Sequence, residues 1–347
     1  MTIARPVLGW DIGGVNTKVV RVRLNDGAGP ELESASLPYE IQHDLAALPD
    51  TLRLLARQLG PGEGWAHAVT MTAELSQAFR TKREGVGAVI DGVLTAFPAD
   101  LVRVFTVDGK FVAPEMARAL PLAVGASNWA ATATMAARLA PDAILIDIGT
   151  TSTDIIPILA GRPAARGRTD PARLATGELV YTGAVRTPIE AIVRDVPLWG
   201  SRATVSAEAF ATIGDAHVWL GTLPLADYTA PTSDRRVVTR EAAGERLARV
   251  VCGDRDMLDD AAIDGIARAA VEAQVEQVVN GIRLVRGAFP ALATAVLTGL
   301  GEFIAAEAAR RAGLDVVSLV SHWGSAARVA PAAAVGWLLA EQLGDGP

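Results

Sequence analysis

Cysteine is nearly absent: Cys252 stands alone in 347 residues. No internal disulfide can form, so nothing here points to an oxidising compartment. Long apolar runs are missing as well, since none reaches the about 18 residues that a membrane span needs. Polar Asp11 breaks the one early apolar stretch, which leaves no signal-peptide layout. The basic residues form no block and the formal charge is -7, a balance that excludes nucleic acid as a default partner. These absences predict a soluble, cytoplasmic protein with no membrane and no nucleic-acid partner, and leave a homo-oligomer open. Disorder, coiled coil and collagen are excluded by a composition that is 50% apolar and 20% charged. At roughly 150 residues per domain, the length predicts two domains, each with its own core.

Lysine is the other scarcity. Of 32 basic residues only Lys18, Lys82 and Lys110 are lysine. Drift from Lys to Arg in a GC-rich genome explains the shortage, but a lysine that survives it marks a place where a compact point charge is needed rather than a planar fork.

What is present is a repeated pattern. Val7-Leu-Gly-Trp-Asp-Ile-Gly is an apolar strand ending in glycines, and the alternating run from Thr17 to Leu24 is a second strand before a turn at Asn25-Asp26-Gly27. Leucines at 45, 48, 52, 55 and 59 predict a helix over 43–59. A buried strand follows at 66–72 and a helix at roughly 83–97. Near residue 143 the opening returns: Ala143-Ile-Leu-Ile-Asp-Ile-Gly, the turn Thr150-Thr-Ser-Thr, then Asp154-Ile-Ile-Pro-Ile-Leu. Two such hairpins in matched strand context predict two related domains. The boundaries expected are 1–140 plus about 313–347 for the first domain and 141–312 for the second, which carries a helical and loop insertion. Residues 126–139 read as a small-residue helix and 161–173 as an arginine-rich loop. Helix is expected through most of 240–286 with an apolar face at Val271, Val275, Val278, Val279 and Ile282. Strands at 294–298 and 314–319 and helices at 302–312 and 331–342 complete the reading.

Three glycine turns, at Gly13-Gly14, Gly149–Ser152 and Gly299–Gly301, each follow a strand. Such turns can aim backbone N–H groups at an anion. Asp11 and Asp147 end the first strand of each hairpin, so two carboxylates are expected to converge on a cleft between the domains. Carboxylates beside phosphate-binding amides are normally there for Mg²⁺, which prefers oxygen ligands.

These residues resemble a family. Asp11-Ile-Gly-Gly-Val-Asn-Thr-Lys is similar to the first phosphate motif of the actin/sugar-kinase/chaperone ATPase superfamily, and Asp147-Ile-Gly-Thr-Thr-Ser-Thr-Asp to the second. Residues 126–138 and 326–340 resemble its two connecting helices, and Leu297-Thr-Gly-Leu-Gly its adenosine motif. Within the superfamily the chain resembles the hydantoinase/oxoprolinase branch, and there the aryl-ether-forming family of methanofuran synthesis and the bacterial proteins of the tetrahydromethanopterin-linked one-carbon pathway. Met71-Thr-Ala-Glu-Leu-Ser, Thr81-Lys-Arg-Glu-Gly-Val, Gly177-Glu-Leu-Val-Tyr-Thr-Gly-Ala-Val-Arg-Thr-Pro and the Asp215-Ala-His-Val-Trp-Leu-Gly segment carry this, through almost the whole chain.

The resemblance implies an α/β fold of two RNase H-like, actin-like ATPase domains with the substrate in an interdomain cleft. It also implies a transferase: the phenol of a tyramine- or tyrosine-derived acceptor displaces diphosphate from an aminomethylfuran-methyl diphosphate, in methanofuran or methylofuran synthesis. The partners expected are therefore a small-molecule diphosphate and a phenolic acceptor, with Mg²⁺ as cofactor. A furan-stabilised carbocation eases C–O cleavage once the leaving diphosphate is neutralised, and a base for the phenol proton completes the site. The alternative is an ATP-dependent small-molecule kinase or a hydantoinase/oxoprolinase-like hydrolase of the same fold. Val15, where sugar kinases carry a threonine, and Leu300, which interrupts the adenosine glycines, both weaken it. A nucleotide-sensing, non-enzymatic protein is a third reading, disfavoured by the intact Asp11, Lys18 and Asp147.

Asp11, Lys18, Glu74, Lys82 and Asp147 are the catalytic candidates. Phosphate contacts are expected from Gly13, Gly14, Asn16, Thr17, Gly149, Thr150, Thr151, Ser152, Gly299 and Gly301. Glu74 sits just past an apolar strand, where carboxylates in open α/β sheets often do chemistry. Metal candidates are Asp11, Asp147 and Asp154, the last competing with an exposed turn carboxylate. Glu178, Tyr181 and Arg186 are expected to bind substrate. His322 reads as structural, with catalysis the alternative, and His217 as core, while Arg162, Arg166 and Arg168 read as a solvated loop, with a diphosphate clamp the alternative.

Overall fold

A computed structural model describes residues 6–25, 28–61 and 64–344. Asp26 and Gly27, the centre of the turn expected after Asn25, lie outside the described residues. The chain divides into two compact units. The first comprises Met1–Ala143, Ile156–Arg173 and Ser318–Pro347, and the second Ile144–Ile155 and Leu174–Val317.

The first sheet is built from β1 (Val7–Ile12), β2 (Asn16–Asn25), β3 (Ala28–Pro38), β4 (Ala66–Met71), β5 (Val102–Phe105) and β6 (Phe111–Val112), in the order β3-β2-β1-β4-β5-β6. β1 runs antiparallel to β2 and parallel to β4. All six residues of β1 are buried, the pattern of a central strand covered on both faces. The core joins Leu8, Trp10 and Ile12 to Leu48, Leu52 and Leu55 of the helix Leu48–Gln58 and to Val86, Val89, Ile90 and Val93 of the helix Lys82–Ala96. Each of these fully buried side chains contributes about 1.5–3 kcal/mol. The alanine-rich helix Ala330–Gly344 lies so close to β1 that a Cβ on Gly9 would meet the Gly336 nitrogen at 2.6 Å.

The second sheet holds β7 (Ala143–Ile148), β8 (Thr153–Leu159), β9 (Arg162–Pro163), β10 (Leu179–Val180), β13 (Thr294–Thr298) and β14 (Asp315–Ser318), in the order β10-β8-β7-β13-β14 with β9 beside β8. A separate hairpin pairs β11 (Asp195–Leu198) with β12 (Ser201–Thr204). Ile144, Ile146 and Ile148 of β7 pack with Val275, Val278, Val279 and Ile282 of the helix Asp260–Ala288, the apolar face its spacing predicts. With β9 and the edge strand β6 set aside, chain order within each sheet gives third-second-first-fourth-fifth in both. The repeated hairpin of the sequence therefore opens the same strand order twice.

The helical reading of 240–286 divides into Arg240–Arg249 and Asp260–Ala288, broken at Cys252, which takes φ 59, and Gly253. The arginine-rich segment closes with a helix, Asp170–Thr176, started by Asp170-Pro171. β3 carries Gly29, Pro30 and few apolar residues. It is an edge strand largely open to solvent, so no apolar run betrayed it. Among the described residues no helix is long and apolar enough to cross a membrane.

Candidate active site

Hairpin register places Asp11 of β1 opposite Lys18 of β2, and Ile12 opposite Thr17. Asp11 is buried, and its Oδ2 accepts a hydrogen bond from Lys18 Nζ at 3.3 Å. Asp11 Oδ1 and Thr17 Oγ1 are buried without a hydrogen-bond partner among the described residues. Such atoms carry an uncompensated desolvation penalty until a ligand, ion or water reaches them. In the turn between the strands, the Gly13 N–H bonds Asn16 O at 3.0 Å, and a Cβ on Gly13 would lie 2.7 Å from that oxygen. A Cβ on Gly14 would meet nothing within 4 Å, which makes Gly14 the open residue of this turn.

β4 ends beside β1, with Thr70 opposite Asp11 and the Thr72 N–H bonding Ile12 O at 2.9 Å. Thr70 Oγ1 lies 2.9 Å from Ser127 Oγ, which bonds Phe105 O, and this fixes the entry to the helix Asn128–Ala136 behind Ala126, held at φ 50. The chain then makes a single tight turn, Ala73–Leu75, that buries Glu74 at 1% exposure. Lys82 opens the next helix, whose N-cap Thr81 accepts from the Glu84 N–H. Lys82 Nζ bonds Glu74 Oε1 at 3.2 Å and Asp170 Oδ2 at 2.7 Å. Asp170 Oδ1 accepts from Arg173 Nη2 at 2.8 Å, and the Arg173 guanidinium lies over the Trp129 ring at 5.0 Å. Glu74 Oε2 is buried and has no hydrogen-bond partner among the described residues. Burial pushes the Glu74 carboxyl up to about 7 despite the nearby Lys82 ammonium, and Asp170 adds to the rise. Burial alone would lower Lys82, but Glu74 and Asp170 outweigh it and hold the ammonium above its usual value.

In the second unit Asp147 of β7 stands opposite Thr298 of β13 and is 7% exposed. Gly149 N–H bonds Ser152 O at 3.0 Å, and the segment after Thr182 is tied onto this turn: Ala184 N–H bonds Gly149 O and Arg186 N–H bonds Thr150 O, both at 2.9 Å. A Cβ on Gly183 would collide with the Thr151 amide. Gly299, at φ 92, would bring a Cβ into the Ile148 carbonyl and to 2.5 Å from Asp147 Oδ1, while one on Gly301 would strike the Ile148 side chain. Both glycines pack closely on β7, and Leu300 packs against the core of the unit. Asp154 lies in β8, 6% exposed, rather than in an exposed turn. Glu178 is buried and accepts from Thr176 Oγ1 at 2.9 Å, whereas Tyr181 is 58% exposed. His217 is buried, and desolvation lowers it to about 4. Its Nε2 lies 2.9 Å from Gln274 Oε1, and the Gln274 amide donates to Gly183 O and Thr182 Oγ1. In the first unit His322 is exposed and touches Ser321 and Ser318 O. Arg162, Arg166 and Arg168 are exposed, and Arg168 pairs with Asp108.

Among the described residues no three His, Cys, Asp or Glu side chains gather to hold a metal. Mg²⁺ does not need such a cage in phosphate sites, where one or two carboxylates, water and substrate oxygens complete its shell. The unpartnered Oδ1 of Asp11 fits that role.

The family model for hydantoinase/oxoprolinase matches residues 66–342. The chain belongs to the hydantoinase/oxoprolinase family. A relative from Methanocaldococcus jannaschii, (4-{4-[2-(gamma-L-glutamylamino)ethyl]phenoxymethyl}furan-2-yl)methanamine synthase, is 34% identical over 342 residues, covering 97% of this chain and 98% of its own. The protein of the same name from Methanococcus vannielii is 30% identical over 205 residues, 58% of this chain and 91% of its own. The nucleotide-free structure of acetone carboxylase resembles this chain with a TM-score of 0.56 at 14% identity, over 96% of this chain and 70% of that one. This likeness speaks to the fold, which is that of actin-like ATPases, as the sequence motifs implied. Asp170, Arg173 and Trp129 join the cluster without being among the candidates that the sequence pattern marks. The signal for the first two was an Asp-Pro helix start with arginine three residues on. Trp129 sat unremarked within the small-residue helix.

Proposed function

We propose that this chain is an aryl-ether synthase of methanofuran or methylofuran synthesis, a transferase releasing diphosphate. The relatives' name describes a phenoxymethyl group on a furan bearing a methanamine, hence an ether between a phenol oxygen and a furan-bound CH₂. In the step proposed, the C–O bond to diphosphate breaks and its electron pair leaves with the diphosphate. The phenol oxygen bonds the CH₂, and the phenolic proton passes to a base. A free phenol holds its proton to about pH 10, but the oxygen becomes strongly acidic as the new bond forms. A carboxylate poised near neutrality then suits as acceptor.

The observation that carries the reading is Glu74: a buried carboxyl past a strand end, pushed up to about 7, with Oε2 lacking any partner. Lys18, beside Asp11, is the cation for the leaving diphosphate, with the amide of Gly14 in the open turn. Asp11 would hold Mg²⁺ with its Oδ1; within the second unit, taken by itself, Asp147 and Asp154 are the carboxylates suited to that role. The ion supplies neutralisation of the departing diphosphate when bound.

Incubating the protein with an aminomethylfuran-methyl diphosphate, a tyramine-type phenol and Mg²⁺, then measuring pyrophosphate and ether, tests the reading. Pyrophosphate and ether in equal amounts are expected, without ATP. Phosphate release from ATP in the absence of the furan substrate would overturn it in favour of a kinase- or hydrolase-type activity.

A further inference from the structure

Lys82 stands between two carboxylates and is not shared equally. Its bond to Asp170, at 2.7 Å, is shorter than its bond to Glu74, at 3.2 Å. Asp170 is held in turn by Arg173, which is 2% exposed and stacked on Trp129. The four groups thus alternate in sign from Glu74 to Arg173, and at the Glu74 end the row leaves a buried carboxylate oxygen, Oε2, with no hydrogen-bond partner among the described residues.

We propose that Asp170, backed by Arg173, is a positioning residue that draws Lys82 away from Glu74 and so keeps Glu74 a proton acceptor rather than one half of a closed ion pair. The inference rests on the reading of Glu74 as the base. A carboxylate fully paired with an ammonium loses basicity, because the opposite charge favours its ionised form. Asp170 opposes this twice, by competing for the ammonium and by its own negative charge. Burial pushes Asp170 itself up, but Lys82 and Arg173 outweigh it and keep Asp170 ionised. Among the described residues, the charged groups facing Glu74 are Lys82 from the helix Lys82–Ala96 and Asp170, with Arg173 behind it, from Asp170–Thr176. Gly85 and Gly125 approach Glu74 with backbone only.

The test is a titration of Glu74 in the full-length protein, followed by carbon-13 NMR of its labelled carboxyl and assigned with Glu74→Gln. Asp170→Asn should lower the midpoint from near 7 by about one unit or more. Arg173→Gln should raise it, because a cation is lost and Asp170 pulls harder on Lys82. A merely architectural cluster would change melting temperature in both variants and leave the midpoint in place, and an unmoved midpoint in either folded variant overturns the proposal. Should Asp170→Asn not fold, the upward shift in Arg173→Gln still decides it. Where synthase turnover is present, the acidic limb of its pH profile should move with the midpoint. Midpoints that shift as stated in a protein making no ether would remove the proposed function and leave the proposal about Glu74 standing.

Discussion

The two units share a strand order and set an aspartate on the first strand against a threonine on the fourth, Asp11 with Thr70 and Asp147 with Thr298. They differ in how they treat buried carboxylates. The first leaves Asp11 Oδ1, Thr17 Oγ1 and Glu74 Oε2 buried without partners. In the second, His217, Gln274, Thr182 and Gly183 satisfy one another, and the buried Arg246 is held by Asp215 and Asp234. Seven residues after each aspartate, the first hairpin carries Lys18 and the second Asp154. After the fourth strand, the first unit turns into Glu74 and the second into Gly299-Leu300-Gly301. The same scaffold thus carries open buried carboxylate oxygens at the strand ends of one half, while in the other the buried charged groups are paired and Ser206 Oγ is left open. Bonds left open inside a protein mark where a ligand is meant to supply them.

Breaking the closed network should have the largest effect. Arg246→Met strands Asp215 in the interior, and about 3–5 kcal/mol of stability should be lost in urea denaturation. A variant of normal stability would show that the second unit is not held by this network. On the reactive edge, Lys18→Ala should lower ether-forming turnover by about 10²–10³-fold, with little change in urea midpoint. Equal turnover in variant and parent would mean that the open bonds of the first unit are not the site.

That contrast was only partly visible in the sequence. The D-I-G hairpins, the strands at 143–148 and 294–298 and the helix at 302–311 follow directly from apolar runs and glycine turns, and so did Lys18 beside Asp11. Long-range pairing is another matter. Asp170 meets Lys82 across 88 residues of chain, and nothing in the local pattern of an arginine-rich loop encodes that meeting. Glu74 was legible by its place after a strand, but its raised pKa depends on burial, which is a tertiary property. Edge strand β3 was invisible because neither of its faces is buried enough to need an apolar alternation.

Glu74 also sets a pH dependence that separates the units. In the unfolded chain its carboxyl ionises near 4.5, and in the fold near 7. Below 4.5 both states are protonated and the residue is neutral to stability. Between 4.5 and 7 only the unfolded chain releases the proton, so stability falls by about 3 kcal/mol and then levels off. Glu74→Gln removes this loss, and denaturation midpoints should show the variant gaining on the parent at pH 8 but not at pH 4. His217 in the second unit runs the other way. Its folded value of about 4 against 6.5 means stability is lost as pH falls through that window. Stability curves of the parent and Glu74→Gln that stay parallel from pH 4 to 8 would show that Glu74 ionises normally in the fold.

The smallest effect is the sharpest comparison of the glycine turns. Gly299→Ala puts a Cβ at φ 92 against the Ile148 carbonyl and Asp147 Oδ1, and about 1–3 kcal/mol of stability should be lost. Gly14→Ala meets open space and needs no positive φ, so stability should stay within about 0.5 kcal/mol. If a diphosphate lies on the Gly14 amide, the added methyl should still raise KM for the furan diphosphate, by about tenfold, through misplacement of the leaving group. A KM left unchanged by Gly14→Ala would move the diphosphate off this turn, and the open space there would be solvent rather than site.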